Sequence, residues 1–321
     1  MPNPALSDVH VNRPLTNIAI AFAQSQDAFI AGRATPIVPV AKKSDSYFLY
    51  SRDDWYRIQA RERAPGAEAP GGGFDLTTDT YTATVYAVRK DVDDQIRANA
   101  DAPLNVDRDA TEWCTLQLLL KREKVWSSTF FAASTWTGST TGADITVGTQ
   151  WNDAASDPIT DVTNQIIGMA QKTGYKPNKM VIGPNVWAAL KNHPDILDRV
   201  KYTQKGIVTR ELLASLFDVD EVLVPFAVEV TSAEDATTDT YAFVYGKNAL
   251  LMYASPSASL MTPSAGYIFN WTGLIGSGRD ALRIKKYRME QNSADRVEGE
   301  SAFVPKVIAA DLGVYFTSVV A

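Results

Sequence analysis

The sequence has few of the residues that most often carry chemistry. Its 321 residues include one cysteine, Cys114, and two histidines, His10 and His193. One cysteine excludes an intrachain disulfide, and two histidines weaken any proposal of a zinc site or a Ser-His-Asp triad. We therefore predict no catalytic residue, no metal site and no cofactor. Cys114 is predicted to be a small buried core residue, and His193 a capping or exposed residue at a helix end.

The sequence also lacks a strong basic charge and long apolar runs. The formal net charge is -6, whereas nucleic-acid-binding proteins are usually basic, so specific readout of DNA is not indicated. No run of about 18 apolar residues is present, which predicts that the chain does not span a membrane. The first residues lack a basic region followed by an apolar core, so no secretory signal is expected.

The first part of the chain predicts extended structure. A short helix is expected within Leu15–Ala31, and the prolines of Ala34–Val40 favour an extended strap. Ser46–Ile58 is aromatic-rich and reads as a strand, and the alternation in Asp79–Val92 predicts another. The connection between them is long and has no periodicity, which is typical of functional or mobile loops. We predict a two-stranded arm that lies on a neighbour, because an isolated hairpin is only marginally stable.

Helices and strands alternate in the rest of the chain, which favours an α+β fold. Asn105–Phe131 predicts a long helix with acids at its start and bases toward its end. A second helix is expected between the cap Asp157 and Gly174. The predicted apolar stripes are Trp113, Leu116, Leu119, Leu120, Trp126 and Phe130 in the first helix, and Ile159, Val162, Ile166 and Met169/Ala170 in the second. Further helices are predicted at 184–192 and 209–217, and strands at 179–183, 221–225, 227–231, 240–246, 248–254, 265–271 and 280–291 and near the end of the chain.

Two glycine-rich stretches resemble phosphate loops only superficially. "RAPGAEAPGGGF" (Arg63–Phe74) lacks the Lys-Ser/Thr of a P-loop and precedes a strand rather than a helix. "GLIGSGRD" (Gly273–Asp280) has the spacing G-x-x-G-x-G and is interpreted as a turn between strands. The acidic stretches Lys90–Gln95 and Asp218–Val222 lack the glycine and terminal glutamate of a calcium loop. They are read as solvated turns or helix starts.

The clearest candidate surface is a charged cluster beside the first of these stretches. Two interpretations of this cluster stay open, a solvated strand end and an inter-subunit contact patch, since arginine suits carboxylates at interfaces. The candidate contact residues are Arg57, Arg61, Glu62, Arg63, Gly71, Gly72, Gly73 and Phe74.

The order of these parts resembles the major capsid proteins of tailed bacteriophages, which have the Hong Kong 97 fold. "ATPIVPV" followed by "SYFLYSRDDWYRIQARERAPG" looks like the entry to the extension loop of that family, and "LTTDTYTATVYAVRKDVDD" like its return strand. "LLLKREKVW" resembles the spine helix. "WNDAASDPITDV" and "TGYKPNKMVIGPNVWAALKNHPDILDRVKY" resemble the start of the axial domain. The likeness covers most of the chain and rests on the ordered series of parts.

The resemblance implies a virion protein that forms hexamers and pentamers of an icosahedral shell around double-stranded DNA. It implies partners: a separate scaffolding protein, a portal protein, a possible decoration protein and non-specifically packaged DNA, with assembly in the host cytoplasm. By analogy, the parts of the chain are an N-terminal arm (1–45), an extension loop (46–90), a peripheral domain (91–156) with spine helix 105–132, an axial domain (157–254), and return strands to the peripheral domain with a C-terminal strand (255–321).

Two features depart from some relatives. The span from Ser44 to Arg89 contains no lysine, so isopeptide crosslinks through the extension loop are not expected. Only about forty residues without sustained heptads precede the hairpin, so we expect a separate scaffold and no large N-terminal cleavage.

Two alternatives remain at this point. An encapsulin-type nanocompartment shell shares the fold but resembles the chain less. A nucleotide-dependent enzyme using residues 273–280 is a remote alternative.

Overall fold

A computed structural model describes residues 28–50, 52–100, 104–201, 208–257, 262–276 and 282–321. Most of the predicted helix at Leu15–Ala31, and His10, lie outside the described residues. Within the described part of the chain, no helix has the length and apolar character needed to cross a membrane.

The described residues form two five-stranded sheets, two two-stranded hairpins and helices of which one is much longer than the others. The helices are α1 (Ala31–Ala34), α2 (Arg52–Tyr56), α3 (Asp94–Asn99), α4 (Val106–Phe130), α5 (Pro158–Thr173), α6 (Pro184–Lys191), α7 (Pro194–Val200), α8 (Arg210–Leu216) and α9 (Thr272–Ile275). The strands are β1 (Ile37–Val40), β2 (Ser44–Tyr50), β3 (Leu76–Thr82), β4 (Thr84–Asp93), β5 (Ile145–Thr146), β6 (Lys179–Ile182), β7 (Glu221–Leu223), β8 (Val228–Val230), β9 (Tyr241–Phe243), β10 (Ala249–Met252), β11 (Gly266–Trp271), β12 (Leu282–Met289), β13 (Ala294–Val307) and β14 (Gly313–Thr317). The two hairpins are β2–β3 and β8–β9, and the longest helix is α4.

The long strand β13 organises the first sheet. It pairs antiparallel with β4, β12 and β11, and β1 adds to β11 in parallel. The strands after Pro263 therefore return to the early part of the chain, as predicted. The second sheet has the order β5-β14-β10-β6-β7, so the last strand, β14, joins the strands from the middle of the chain.

The second sheet is buried on both faces. Met180 and Leu251 pack into a core with α5, α6, α7 and α8, whereas Val181 and Leu250 pack into a core with the end of α4 and the first sheet. Successive side chains of a strand point to opposite faces, so a strand buried on both sides needs an unbroken apolar sequence. This explains why these strands read as continuous apolar runs.

The predicted long helix is confirmed as α4, about 37 Å long at 1.5 Å per residue. The Asn105 side chain caps it by accepting a hydrogen bond from the Arg108 amide. The predicted apolar stripe is partly wrong: Trp126 and Phe130 are buried, but Trp113, Leu116, Leu119 and Leu120 are only partly covered. The fully buried face instead contains Ala110, Cys114, Leu118, Arg122, Glu123, Trp126, Ser127 and Phe130.

A buried carboxylate explains the charged residues on that face. Glu123 is 1% exposed. Its Oε1 and Oε2 accept hydrogen bonds from the amides of Ile30 and Ala31, each at 3.0 Å. The Tyr245 hydroxyl donates a third. Burial raises the pKa of Glu123, although these hydrogen bonds and Arg122 act in the opposite direction. The start of α1 is thus attached to the middle of α4.

The other predicted helices are confirmed, and the short helices α2, α3, α7 and α9 add to them. Asp157 caps α5, and Gly174 follows it with a φ of +70°. The predicted stripe of α5 is buried except for Ala170, which is partly covered. Pro194 follows the end of α6 and also begins α7, a helix that was not predicted.

His193 is a capping residue, and the alternative of exposure is wrong. It is 2% exposed, and its Nδ1 accepts a hydrogen bond from the Asp195 amide at 3.3 Å. Its Nε2 lies 3.0 Å from Ser156 Oγ. Both ring nitrogens therefore have structural partners, which accounts for the residue without catalysis.

The prediction that the acids at 90–95 are solvated is wrong in part. Asp91 pairs with Arg296 at 2.6 Å, and Asp94 pairs with Arg288 at 2.6 Å. Asp93 caps α3. Arg296 lowers the pKa of Asp91, and Arg288 lowers the pKa of Asp94. These acids attach β4 and α3 to the neighbouring strands.

Candidate inter-subunit interface

An antiparallel hairpin of β2 and β3 leaves the first sheet and carries a long connection at its far end. We call residues 44–82 the arm. Tyr47 pairs with Asp79, and Tyr50 pairs with Leu76. The predicted single strand at 79–92 is interrupted at the buried Ala83, where β3 ends and β4 begins in a different sheet. The interruption lets one continuous stretch of chain serve both the arm and the first sheet.

One face of the arm packs on the first sheet. The ring of Tyr81 stacks on Phe269 with centroids 4.6 Å apart, and Tyr47 lies 5.7 Å from the same ring. Lys306 pairs with Asp79 at 2.9 Å, and the Tyr47 hydroxyl donates to Asp79 at 2.8 Å. These two hydrogen bonds lower the pKa of Asp79 to about 2. The base of the arm is therefore fixed to β11 and β13.

The segment after β2 is helical, so the prediction of a strand through Ile58 is wrong. Arg52–Tyr56 forms α2, with Asp53 and Asp54 in its first turn. Four consecutive polar residues, 51–54, break the alternation that a strand needs, and acids favour a helix start. Arg52 forms an ion pair with Asp311, and the Tyr56 hydroxyl donates to the Thr173 carbonyl at the end of α5. These contacts hold α2 against its own subunit.

The other face of the arm is apolar and exposed. Phe48 is 63% exposed, Phe74 57% and Trp55 50%. The Trp55 and Phe74 rings lie 5.4 Å apart, and Tyr50 lies 6.0 Å from Phe74. We call this surface the exposed apolar strip, and its members are Phe48, Tyr50, Trp55, Phe74 and Leu76. A contiguous apolar surface of this kind is typical of a site of protein–protein contact.

The tip of the arm is a turn with little support from its own subunit. The Ala67 amide donates to the Ala64 carbonyl at 3.1 Å. Pro65 and Gly66, with φ +80° at Gly66, match the residue preferences of a type II turn. Residues 60–78 are exposed throughout. Few contacts hold residues 66–73 within the subunit: the Ala67 carbonyl also accepts from Arg63 Nε, and the Gly73 amide and carbonyl bond the Gln59 side chain at 3.0 and 3.1 Å.

The candidate contact residues fall into two groups. Arg57, Gly72, Gly73 and Phe74 line one shallow groove together with Asp54, Trp55 and Gln59. Arg61, Glu62 and Arg63 lie farther out, and Gly71 has open space around its Cα. Ion pairs within the described ranges include none of the four charged candidates.

The sequence prediction missed most of the exposed apolar strip. Phe48, Tyr50 and Leu76 lie in predicted or observed strands, where alternating apolar residues normally face a core. A strand sequence shows which residues share a face, but it does not show whether that face is covered. One signal in the sequence could have indicated the strip: large apolar residues occur on both faces of this short hairpin.

The second glycine stretch forms no nucleotide site within the described residues. Gly273 lies in the four-residue helix α9, directly after β11, and the stretch leads to β12. The part of the stretch from Ser277 to Asp280 lies outside the described residues. The interpretation as a connection between strands is consistent with the two flanking strands.

Comparison with known proteins decides the family. The family described as phage major capsid protein E matches residues 138–302, just over half of the chain. The chain belongs to this family. It is also 25% identical over 320 residues to the major capsid protein of Burkholderia phage BcepMu, with 96% of each chain covered. The capsid protein described here is therefore a structural component that forms the shell of a phage virion.

Solved structures show the same fold. A phage-related protein from Bordetella bronchiseptica RB50 matches with a TM-score of 0.69 at 20% identity, covering 92% of this chain and 94% of that chain. The mature capsid of bacteriophage PhiM1 matches with a TM-score of 0.63 at 12% identity, covering 96% and 92%. The predicted Hong Kong 97-type α+β fold is confirmed. The encapsulin alternative is weaker than the phage capsid, because the family and the curated relative are both phage capsid proteins.

Proposed function

We propose that this capsid protein forms hexamers and pentamers of an icosahedral shell around double-stranded DNA, and that the exposed apolar strip of the arm packs on an adjacent subunit. The observation that carries the proposal is the one-sided arm: its inner face is fixed to the first sheet, and its outer face leaves three large aromatic rings in water. Burial of such a side chain contributes about 1.5–3 kcal/mol. Several rings on one arm, repeated around a ring of subunits, supply a cooperative contact.

The parts of the capsid protein are assigned accordingly. Of residues 46–90, those up to Thr82 act as the extension loop, because 84–90 lie in β4 of the first sheet. Residues 91–156 act as the peripheral domain with its spine helix, and 157–254 as the axial domain. The segment 255–321 returns to the peripheral domain. Its last strand, β14, pairs with β10 and β5. This strand therefore belongs to the second sheet, which we assign to the axial domain.

The partners follow from this assignment. The protein carries no catalytic constellation among its described residues, so we propose a purely structural role in the virion. A separate scaffolding protein and a portal protein direct assembly in the host cytoplasm, and a decoration protein binds the finished shell in some cases. DNA is packaged without sequence recognition, in keeping with a net charge of -6 and the absence of a generally basic chain.

The test separates assembly from folding. Phe48, Trp55 and Phe74 are changed to serine, singly and together, and particles are examined by negative-stain microscopy. We expect the triple variant to lose shells and capsomers while the subunit keeps its melting temperature, because these side chains are already exposed. The matched variants Phe48→Leu, Trp55→Phe and Phe74→Leu keep apolar area and should assemble. Unchanged assembly of the triple serine variant would contradict the role of the strip.

A further inference from the structure

A second apolar surface lies on the hairpin formed by β8 and β9. Val230 pairs with Tyr241, and Val228 pairs with Phe243, so these four side chains share one face. Tyr241 is 66% exposed and Val230 is 52% exposed. Phe226 extends this face, with its ring 6.4 Å from that of Phe243.

The opposite face of this hairpin is attached to its own subunit. Glu229 points to the other side of β8 and forms an ion pair with Lys124 of α4. The Ser127 hydroxyl of the same helix donates to the Val244 carbonyl at 3.3 Å. The hairpin therefore has a fixed inner face and an exposed outer face, as the arm does.

The turn end of this second surface is acidic, whereas Arg210 lies over the Phe226 ring at the other end, 5.9 Å from its centroid. The turn between β8 and β9 contains Glu234, Asp235 and Asp239 and no basic residue. The sequence from 211 to 246 has no lysine or arginine at all. The exposed apolar face of the β8–β9 hairpin thus adjoins a negatively charged turn.

One segment of the arm has the complementary charge, although the arm as a whole has seven acids and four arginines. Beyond the exposed apolar strip, residues 57–63 carry Arg57, Arg61 and Arg63 against the single acid Glu62. Complementary charge across an interface steers association and fixes its register. Arginine is also well suited to carboxylates, because its planar guanidinium can donate two parallel hydrogen bonds.

We propose that the arm of one subunit docks on the β8–β9 hairpin of a second copy of this chain. The exposed apolar strip covers the face of Val230, Tyr241 and Phe243, and the arginines approach the acidic turn. The two surfaces do not cover each other within one chain, since both Trp55 and Tyr241 remain at least half exposed. The inference rests on the proposed function, because it names the partner surface of the arm.

Photo-crosslinking in assembled shells tests the proposal. Phe74 is replaced by p-benzoylphenylalanine, which keeps an aromatic ring at the contact, and shells are grown from an equal mixture of ¹⁴N- and ¹⁵N-labelled subunits. After irradiation and trypsin digestion, the whole β8–β9 hairpin lies in one peptide, 211–247, because cleavage occurs at Arg210 and Lys247. We expect mixed-isotope crosslinks between the arm and this peptide.

The other outcomes separate the two proposals. Mixed-isotope crosslinks to a different peptide would overturn the choice of the β8–β9 hairpin while supporting contact of the arm with a neighbour. Crosslinks within single-isotope chains only, or none, would overturn both the docking on the β8–β9 hairpin and the contact of the arm with an adjacent subunit.

A charge-reversal experiment gives a second measurement that does not need the crosslinker. The triple variant Arg57→Glu, Arg61→Glu, Arg63→Glu and the triple variant Glu234→Lys, Asp235→Lys, Asp239→Lys should each lower shell yield by about tenfold or more. The combination of both triples should restore the yield, because opposite charges face each other again. Failure of the combination, with both triples folded as judged by their melting temperatures, would overturn the proposal.

Discussion

The carboxylate of Glu123 accepts a hydrogen bond of 2.5 Å from the hydroxyl of Tyr245, in a site where both side chains are almost fully buried. The same carboxylate binds the first amides of α1. One acid in the long helix therefore joins the segment before β1 to the strand region after β9. This contact is a structural anchor at the centre of the subunit, and it gives the first prediction.

Removal of this carboxylate should destabilise the isolated subunit. Glu123→Ala leaves the Ile30 and Ala31 amides and the Tyr245 hydroxyl without their acceptor, and each buried unpaired group costs about 1–3 kcal/mol. We expect the free energy of unfolding in urea to fall by about 3 kcal/mol or more. Glu112→Ala in the same helix is the control, since Glu112 is exposed, and should change it by less than about 0.5 kcal/mol. Equal effects of the two substitutions would exclude the anchor.

The base of the arm should resist moderate acid. The pKa of Asp79 is about 2, below its ordinary value of 3.8, because Lys306 and Tyr47 hydrogen-bond its charged form. A folded pKa below the unfolded value means that the stabilisation is complete above about pH 4 and is lost as the pH falls through about 2.

Carboxyl NMR titration measures this pKa directly. Lys306→Met should move the titration midpoint of Asp79 upward, toward 3.8, because the largest stabilising hydrogen bond is removed. A midpoint already near 3.8 in the unaltered protein would show that the Lys306–Asp79 pair is not formed in solution.

Two glycine-to-alanine substitutions should differ in their effect on the free energy of unfolding. A Cβ on Gly183, between β6 and α6, would lie 1.8 Å from the Gly246 carbonyl oxygen. That atom belongs to the backbone and cannot rotate away, so Gly183→Ala should lower the free energy of unfolding by about 3 kcal/mol. Gly71→Ala meets nothing within 4 Å, and should leave stability unchanged or raise it by up to about 1 kcal/mol. Thermal unfolding compares the two variants. If Gly183→Ala does not lower the stability, the Gly246 carbonyl oxygen must lie farther from residue 183 than the structure places it.

Shells of this capsid protein should contain no covalent crosslinks through the arm. No lysine occurs between Ser44 and Arg89, and the flanking residues Lys42, Lys43 and Lys90 lie at or beyond the base of the hairpin. Purified shells boiled in detergent should therefore run as a 35.1 kDa monomer on a gel. A ladder of covalent oligomers would refute this expectation.

Elements with strong local signals were predictable from the sequence. The helix α5 has a capping Asp157, a proline in its first turn and Gly174 at its end, and local hydrogen bonding at these positions needs no tertiary partner. The strands β6 and β10 were predictable from a different local signal. Their apolar runs are short and are bounded by glycine, asparagine or proline. The family followed from the order of such elements.

The candidate interface was only partly predictable. Arg57, Gly72, Gly73 and Phe74 were identified and lie together in one groove. Trp55 and Phe48 were not identified, because α2 replaced the expected strand and because the outward face of β2 cannot be recognised from alternation alone. The burial of Glu123 was likewise missed, since a charged residue on a helix is normally solvated and only its partners from distant segments explain it.

The sequence alone was sufficient for the helices α4 and α5, for the alternation of side chains along each strand, and for the absence of lysine from the arm. These properties depend on backbone geometry, capping and side-chain period within a few neighbouring residues. The tertiary structure alone decided which faces are covered. Phe269 covers Tyr81, Tyr245 and the start of α1 enclose Glu123, and no described part of the subunit buries Phe48 or Tyr241. Burial depends on residues far apart in the chain, and their approach is fixed only when the sheets and the long helix pack together.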